Sequence, residues 1–439
     1  MKVVTRFSPS PTSVFKTDEH GNRVGGMHVG NLRNAIYSYL FAKQNNGKFI
    51  LRIENTDQKR SNNESVKDIL NTLTDFDLHW NEFYIQSDRI DLYRYYAHWL
   101  VEQGYAYICD CDDNESLCNC KHNQQDKKEG CIKLNIDKIK EHEQDTITIK
   151  DGIRKKPITY QYNSLYDIVL LKSDNYPTYH LAATVDDHLM GVTHVFRSDE
   201  WLSSYPYHIL LYKVFGWEPP LFFHLPLLTN MNGEKLSKRD GDLSVRNLLE
   251  TGFLPSAITE YITMLGWMPS KDNLMEIYPL EQLINIFNLN GFQKSSCCYD
   301  VKKLRNINLK HARILESKSK HHFFKYLNLK NLDIEGVLFN RLFELYKNGI
   351  NVKELINSIN SNEVRILDPI FAGKYNKILL NHNIDFRKED HVDLLLYLLK
   401  QEGFTEKEIQ ENIRYINTGN KTGIPAKDLL NILKIRTYY

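Results

Sequence analysis

The feature that most constrains this chain is the succession KVVTRF, GGMHVGNLRNAIYSYLFAK and KFILRIE within its first 54 residues. A short β run, a helix and a second β run at this spacing form a βαβ unit, the building block of a parallel sheet of the nucleotide-binding type. Leu32, Ile36 and Leu40 fall at i, i+4 and i+8 and give the helix an apolar stripe. Asn45, Asn46 and Gly47 supply its stop signal. Packing alone does not require His28 and Gly30 at the helix mouth, so that mouth is a candidate binding site. Two more helices are expected, over about residues 62–78 and 88–103, with Gly104 closing the second.

A chain of 439 residues exceeds one ordinary core and predicts about three or four units. With 42% apolar and 25% charged residues it reads as a globular protein. No apolar run reaches membrane-spanning length, and MKVVTRFSPS lacks a signal-peptide core, so a cytoplasmic location is expected. From Tyr105 to about Lys172, cysteines, charges and short β-like runs indicate an insertion of mixed structure. Helix–sheet alternation resumes near YPTYHLAATVDDHLMGVTHVF, and the chain beyond Asp242 reads as mostly helical. HVDLLLYLLK and EKEIQENIRYI carry helical apolar spacing.

Net charge is only +1 but is unevenly spread. Residues 301–439 hold 24 lysines and arginines against 16 acids, while the first 300 hold 32 against 39. The segment 301–330, which contains Lys302, Lys303 and Arg305, has nine basic residues and one acid. Such a segment is either a polyanion-binding surface or a solvated helix face.

Three sets of residues carry candidate chemistry. A helix N-terminus presents N–H groups and a positive dipole end to phosphate, which His28 could reinforce and Gly30 would leave room for. A capped helix explains the same letters. GEKLSKRDGD places Lys235, Lys238 and Arg239 in a glycine-flanked loop that could bring cations to a triphosphate, or be an ordinary exposed basic loop. Arg6, Glu54, Tyr179 and Arg197 suit an acidic amino acid: arginine forks onto carboxylate, and a carboxylate holds an ammonium. Any one of these four could equally be a surface ion pair. Five of the seven cysteines lie between Cys109 and Cys131, a clustering that in a cytosolic chain favours metal over disulfides.

Taken in order, TRFSPSPT, MHVGN, KFILRIENTDQKRS, YPTYHLAATVDDHLMGVTHVFRSDEW and EKLSKRDGD strongly resemble glutamyl-tRNA synthetases of the bacterial type. HVGN is similar to the HIGH signature of class I synthetases and KLSKR to their KMSKS signature. The likeness continues through YDVKKLRNINLKHA to IRYINTGNKTG and so spans nearly the whole chain.

The resemblance implies an α/β fold: a Rossmann-type catalytic domain with a mixed insertion, followed by an all-helical anticodon-binding domain. Its expected divisions are residues 1–104 and 173–242 for the catalytic halves and 105–172 for an acceptor-end-binding insertion. A stem-contact region over 243–312 and the helical domain over 313–439 follow. The implied activity is glutamate–tRNA ligation, in which L-glutamate and magnesium-bound ATP give glutamyl-adenylate and pyrophosphate, and glutamate then passes to the 3′ end of tRNA-Glu, with tRNA-Gln an open possibility. His28, Gly30, Glu200, Lys235 and Lys238 would serve ATP, with His28, Lys235 and Lys238 catalytic. Arg6, Ser8, Glu54, Tyr179 and Arg197 would hold glutamate. Lys302, Lys303 and Arg305 fall where a tRNA backbone would pass. A monomer is expected.

Some members of the family hold zinc in the acceptor-binding insertion through Cys-x-Cys and a later Cys-x-His. The expected ligands here are Cys109, Cys111, Cys118 and Cys120, with His122 and Cys131 as substitutes, for a structural zinc; reduced, unpaired thiols are the alternative. The chain departs from the family pattern in the long connection SVFKTDEHGNRVGGM, in Ser13, in Asn55 and in Ala183. Two other functions remain in view: a tRNA-binding paralogue without catalysis, and a relative that glutamylates a modified tRNA base.

Overall fold

A computed structural model gives the fold for residues 2–13, 15–17, 23–111, 120, 129–140, 145–154, 156–236, 243–314, 346, 368–382, 384, 389–418 and 425–432. Contacts divide the chain into two compact units, Met1–Asn247 with Ile258–Val301, and Leu248–Ala257 with Lys302–Tyr439.

The first unit is built on β1 (Val4–Phe7), which leads through a hairpin of β2 (Lys16–Thr17) and β3 (Arg23–Val24) into α1 (Val29–Gln44). Next come β4 (Lys48–Ile53), α2 (Asn63–Asp75), β5 (Glu82–Ile85) and α3 (Ile90–Glu102). The intervening segment holds β6 (Ala106–Cys109), β7 (Cys131–Leu134), α4 (Ile136–Lys140), β8 (Thr146–Ile149), β9 (Ile158–Gln161) and β10 (Val169–Leu171). The sheet is then completed by α5 (Tyr179–Leu189), β11 (His194–Ser198), α6 (Tyr205–Val214) and β12 (Leu221–Leu225). β13 (Leu228–Thr229) pairs in parallel with β14 (Cys297–Cys298).

The main sheet has the order β12-β11-β1-β4-β5, with every pair parallel. Parallel strands covered on both faces read as apolar runs, and all four residues of β1 are buried. α1 crosses one face and is buried nearly all round: Leu32, Ile36 and Leu40 have no exposed surface, and neither do Ala35 and Tyr37. The stripe legible in the sequence is therefore only part of its contact surface. The chain runs outward from β1 to β4 and β5 on one side and to β11 and β12 on the other. That reversal opens a crevice at the carboxyl ends of the strands, where doubly wound sheets bind ligands.

The intervening segment forms the antiparallel sheet β10-β7-β6 and the β8–β9 ribbon, the mixed structure its composition predicts. The long connection after Ser13 is the β2–β3 hairpin, returned by Gly25 and Gly26 in left-handed conformation. A Cβ on Gly26 would lie 2.8 Å from an Asp68 oxygen, so only glycine fits there.

α7 (Val245–Glu250), α8 (Pro255–Met264), α9 (Leu280–Ile286) and α10 (Val301–Ile314) follow, then α11 (Pro369–Asn381), α12 (Glu389–Gln401), α13 (Glu406–Thr418) and α14 (Ala426–Ile432). Among the described residues every strand lies in the first unit and the second is helical. Val392, Leu395 and Leu399 of α12 and Ile409 and Ile413 of α13 meet in its core, on the spacing that predicts those helices. No described helix is long and apolar enough to cross a membrane.

Candidate active site

The carboxyl edge of the sheet carries a dense buried charge network. Arg6, one residue from the end of β1, donates from Nε to both oxygens of Asp187 on α5, at 3.2 and 3.4 Å. Arg52 of β4 is fully buried; its Nη1 donates to Asp187 at 2.7 Å and its Nη2 to Glu54 at 3.0 Å. Asp186, the neighbour of Asp187, accepts from Arg89 at 2.9 Å, Tyr93 at 2.7 Å and Gln86 at 3.0 Å. Buried ions persist when each has a partner, and here Arg6, Arg52 and Arg89 face Glu54, Asp186 and Asp187. Burial pushes Asp187 up, but Arg6 and Arg52 more than offset it and hold the carboxyl below its ordinary value. For Glu54, burial wins over Arg52 and Arg6 and its pKa is raised. Nη1 and Nη2 of Arg6 form no hydrogen bond among the described residues, so they are the part of this network available to a ligand anion.

Arg197 is held differently. It lies near the end of β11 in register with His224 of β12, and its Nε donates to His224 Nε2 at 2.9 Å. Nη1 reaches the Tyr179 hydroxyl at 3.3 Å and His208 Nδ1 at 3.4 Å. The guanidinium rests on Phe222, 4.6 Å from the ring centre. Among the described residues no carboxylate bonds it, and Nη2 is buried with no hydrogen-bond partner. A buried, unmatched donor on a full positive charge calls for an anion. Tyr179 opens α5, its ring 4.2 Å from that of Trp201. Ser8 is half-buried just beyond β1.

His28 caps α1: its Nδ1 accepts from the Gly30 N–H at 3.0 Å. In the neutral ring this places the proton on Nε2, which is then a donor. A Cβ on Gly30 would stand 3.2 Å from His28 Nδ1, so the glycine makes room for the histidine ring itself. The N–H groups of Val29, Gly30, Asn31 and Leu32 are all bonded within the chain, so the mouth of α1 offers a phosphate the His28 Nε2 donor and the helix dipole, not open N–H groups. Val29 N–H bonds to Leu243 O at 3.1 Å and Val245 N–H to Met27 O at 2.8 Å, which seats the far root of the KLSKR loop on the mouth of α1. Lys235, at the near root, forms an ion pair with Glu200. Lys238 and Arg239 lie outside the described residues.

Cys109, Cys111 and Cys120 converge, with their sulfurs within 4.8 Å of one another. Cys131 packs against them from the facing strand. Tetrahedral zinc with bonds of about 2.3 Å spaces its sulfurs by just under 4 Å. The three sulfurs thus fit three corners of a soft-metal site. Cys118 and His122 lie outside the described residues. On α10, Lys302, Lys303 and Arg305 are exposed while Leu304 and Ala312 are buried, an amphipathic arrangement.

Of the family departures, Asn55 spends both ends of its amide on Ser87, at 2.9 and 3.0 Å, so it fastens the end of β4 to the next loop. Ala183 is buried within α5. Sequence reasoning passed over Arg52, Asp186, Asp187, His208, His224 and Asp151. The available signal was charge where it is costly: an arginine inside KFILRIE and paired aspartates inside a helix bordered by Leu181 and Val185.

Residues 2–306 match the family of class I tRNA synthetases for E and Q, catalytic domain. A glutamate–tRNA ligase of Finegoldia magna is 35% identical over 98% of this chain and 92% of its own length. One from Clostridium kluyveri is 38% identical over 80% of this chain and 74% of its own. Among solved structures, a glutamate tRNA ligase from Elizabethkingia meningosepticum in complex with its amino acid superposes with TM-score 0.69 at 27% identity, covering 100% of this chain and 98% of that one. The glutamate-tRNA synthetase of Elizabethkingia anophelis gives TM-score 0.69 at 28% identity, covering 99% and 97%. With this sheet, these signatures and relatives matched over almost its full length, the chain belongs to the glutamate–tRNA ligase family of class I aminoacyl-tRNA synthetases.

Proposed function

We propose that this ligase seats L-glutamate between Arg197, Arg6 and Glu54 and charges it onto tRNA-Glu by way of an adenylate. An α-carboxylate oxygen attacks the α-phosphorus of magnesium-bound ATP, the bond to the β-phosphate oxygen breaks, and pyrophosphate leaves. A hydroxyl of the terminal tRNA ribose then attacks the acyl carbon, AMP departs, and the hydroxyl proton passes to solvent. No covalent enzyme intermediate is needed, so the protein contributes positioning and charge. Arg6 and Arg197 meet carboxylates, Glu54 meets the ammonium, and Ser8 and Tyr179 border the pocket. His28 donates from Nε2 to phosphate, Glu200 lies beside the nucleotide, and Lys235 and Lys238 take up charge on the departing pyrophosphate. The ion pair with Glu200 supports a role for Lys235 in which ATP must draw it away.

The observation that carries this reading is the buried, unmatched Nη2 of Arg197, with Arg6 near the carboxyl end of the adjoining strand. It also disfavours a non-catalytic paralogue, for which such an uncompensated donor would be a cost without use. Cys109, Cys111 and Cys120 with Cys118 would hold a structural zinc that pins the β6–β7 end of the segment and takes no part in the chemistry. Lys302, Lys303 and Arg305 would meet tRNA phosphates in the cytoplasm. The test is charging with labelled glutamate on separate tRNA-Glu and tRNA-Gln transcripts. Label on tRNA-Glu supports the proposal, label on both widens it, and label on neither ends it.

A further inference from the structure

Arg197 projects its unpartnered Nη2 only if the rest of its guanidinium is fixed, and the structure shows what fixes it. An arginine Nε–H can only donate, so the His224 Nε2 that meets it at 2.9 Å carries a lone pair. The His224 proton is then on Nδ1, where it donates to Asp151 at 2.7 Å. Asp151 follows β8 in the segment between the two halves of the sheet, and it is itself held from four directions. Its Oδ1 accepts from the backbone of Ile153 at 2.9 Å and of Arg154 at 3.1 Å. Its Oδ2 accepts from the His224 backbone at 3.1 Å as well as from the ring. Arg154 in turn donates to Asp199 at 3.0 Å. Gly152 lets this segment lie flat on the sheet, because a Cβ there would be 2.2 Å from the Phe223 ring.

We infer that His224 and Asp151 are positioning residues for glutamate: Asp151 locks the tautomer in which His224 accepts from Arg197, and that bond aims Nη2 at the substrate carboxylate. This rests on the reading of Arg197 as a glutamate-binding residue. The choice of a histidine follows from charge. A carboxylate placed directly on Nε would hold the arginine as firmly but would offset part of its charge, as Asp187 does for Arg6. Imidazole in its neutral form supplies the acceptor and leaves the charge. Burial keeps the ring neutral, with its pKa lowered to about 4. On the other side, His208 Nδ1 accepts from Arg197 and its Nε2 meets His180 Nδ1 at 3.1 Å, a second neutral hold.

The test is a double-mutant cycle on aminoacylation, with the KM for glutamate and for ATP measured separately. His224→Phe keeps a ring but has no lone pair; His224→Gln keeps a carbonyl acceptor. Arg197→Lys keeps the charge but lacks both the fork and the donor that His224 receives. Hydrogen bonds to charged groups are worth enough that His224→Phe should raise the glutamate KM on the order of ten- to a hundred-fold. The ATP KM should stay within about two-fold, and Gln should recover most of the loss. In the Arg197→Lys background the Phe substitution should add nothing further. An equal loss in both backgrounds, or an unchanged glutamate KM in His224→Phe, overturns the inference. A normal glutamate KM in Arg197→Lys alone instead overturns the reading of Arg197. Should His224→Phe not fold, Asp151→Asn runs the same cycle: its NH2 must face either the imidazole Nδ1 or two backbone N–H groups, and the same non-additive loss is expected.

Discussion

Arg52→Met removes the cation at the centre of the buried network while keeping the length of the side chain. Arg52 is fully enclosed and bonds Asp187 at 2.7 Å and Glu54 at 3.0 Å, with Asp186 at 3.7 Å. After the change Asp187 keeps Arg6, and Asp186 keeps Arg89, Tyr93 and Gln86. Glu54 loses the one side chain that bonds it among the described residues. Stranding a buried charge in this way costs about 3–5 kcal/mol. For a unit of this size, at about 2 °C per kcal/mol, the first unit should melt roughly 6–10 °C lower. The loss has a pH signature. Burial already raises the Glu54 pKa, and without Arg52 it rises further, so the folded state takes up a proton that the unfolded state has released. The deficit is therefore largest above the unfolded carboxylate value of about 4.3 and shrinks as pH falls toward it. Thermal unfolding at pH 7.5 and pH 5, for Arg52→Met and for Arg52→Met with Glu54→Gln, reads all of this. The double variant should regain most of the stability at pH 7.5 yet use glutamate poorly, because the carboxylate for the ammonium is gone. A single variant that melts with the wild type at both pH values, or a double variant with no recovery, would refute the reasoning.

Gly30→Ala should leave unfolding about unchanged, since the helix preference of alanine, about 1 kcal/mol, is offset by the weakened His28 cap, while the displaced His28 ring raises the ATP KM on the order of ten-fold. An unaltered ATP titration would separate His28 from the nucleotide. His180 and His224 both have pKa values lowered to about 4 from 6.5, chiefly by burial. The unfolded state then binds more protons between those values, so the stability they contribute is complete above about pH 6.5 and is lost as pH falls toward 4. By pH 5 the loss is about 2 kcal/mol per histidine, which denaturant midpoints at pH 7.5 and 5 would show. Charge reversal at Lys302 and Lys303 should weaken tRNA binding and flatten its salt dependence without changing ATP use; an unchanged tRNA affinity would return them to a solvated face. Protein purified without chelator should carry about one equivalent of zinc and Cys109→Ser much less, by elemental analysis.

Much of the candidate site was legible because parallel sheets bind ligands at the carboxyl ends of their strands. Arg6, Glu54 and Arg197 became candidates by that position, and His28 by its place at the mouth of a helix. The support for those residues was not legible. Asp187 serves Arg6 from 181 residues away and Arg52 from 135, and Asp151 meets His224 across 73, distances over which no local periodicity carries information. Arg52 read as one more residue of a β run, although it is the buried cation that bonds both Glu54 and Asp187. Gly30 was assigned to the nucleotide because glycine permits close approach, whereas the nearest group it admits is the His28 ring. The clustering of the cysteines pointed toward metal by number, with reduced thiols as the alternative, but only the fold brings the sulfur of Cys120 to 3.1 Å from that of Cys111.

The most direct test of the account is an electron-density map of the protein crystallised with L-glutamate. The account predicts one glutamate at the carboxyl edge of the sheet. A carboxylate should lie within hydrogen-bond distance of Arg197 Nη2, with the His224–Arg197 bond intact and Glu54 facing the ammonium. Glutamate seated elsewhere, or bound here with Arg197 Nη2 still unpaired, would contradict it.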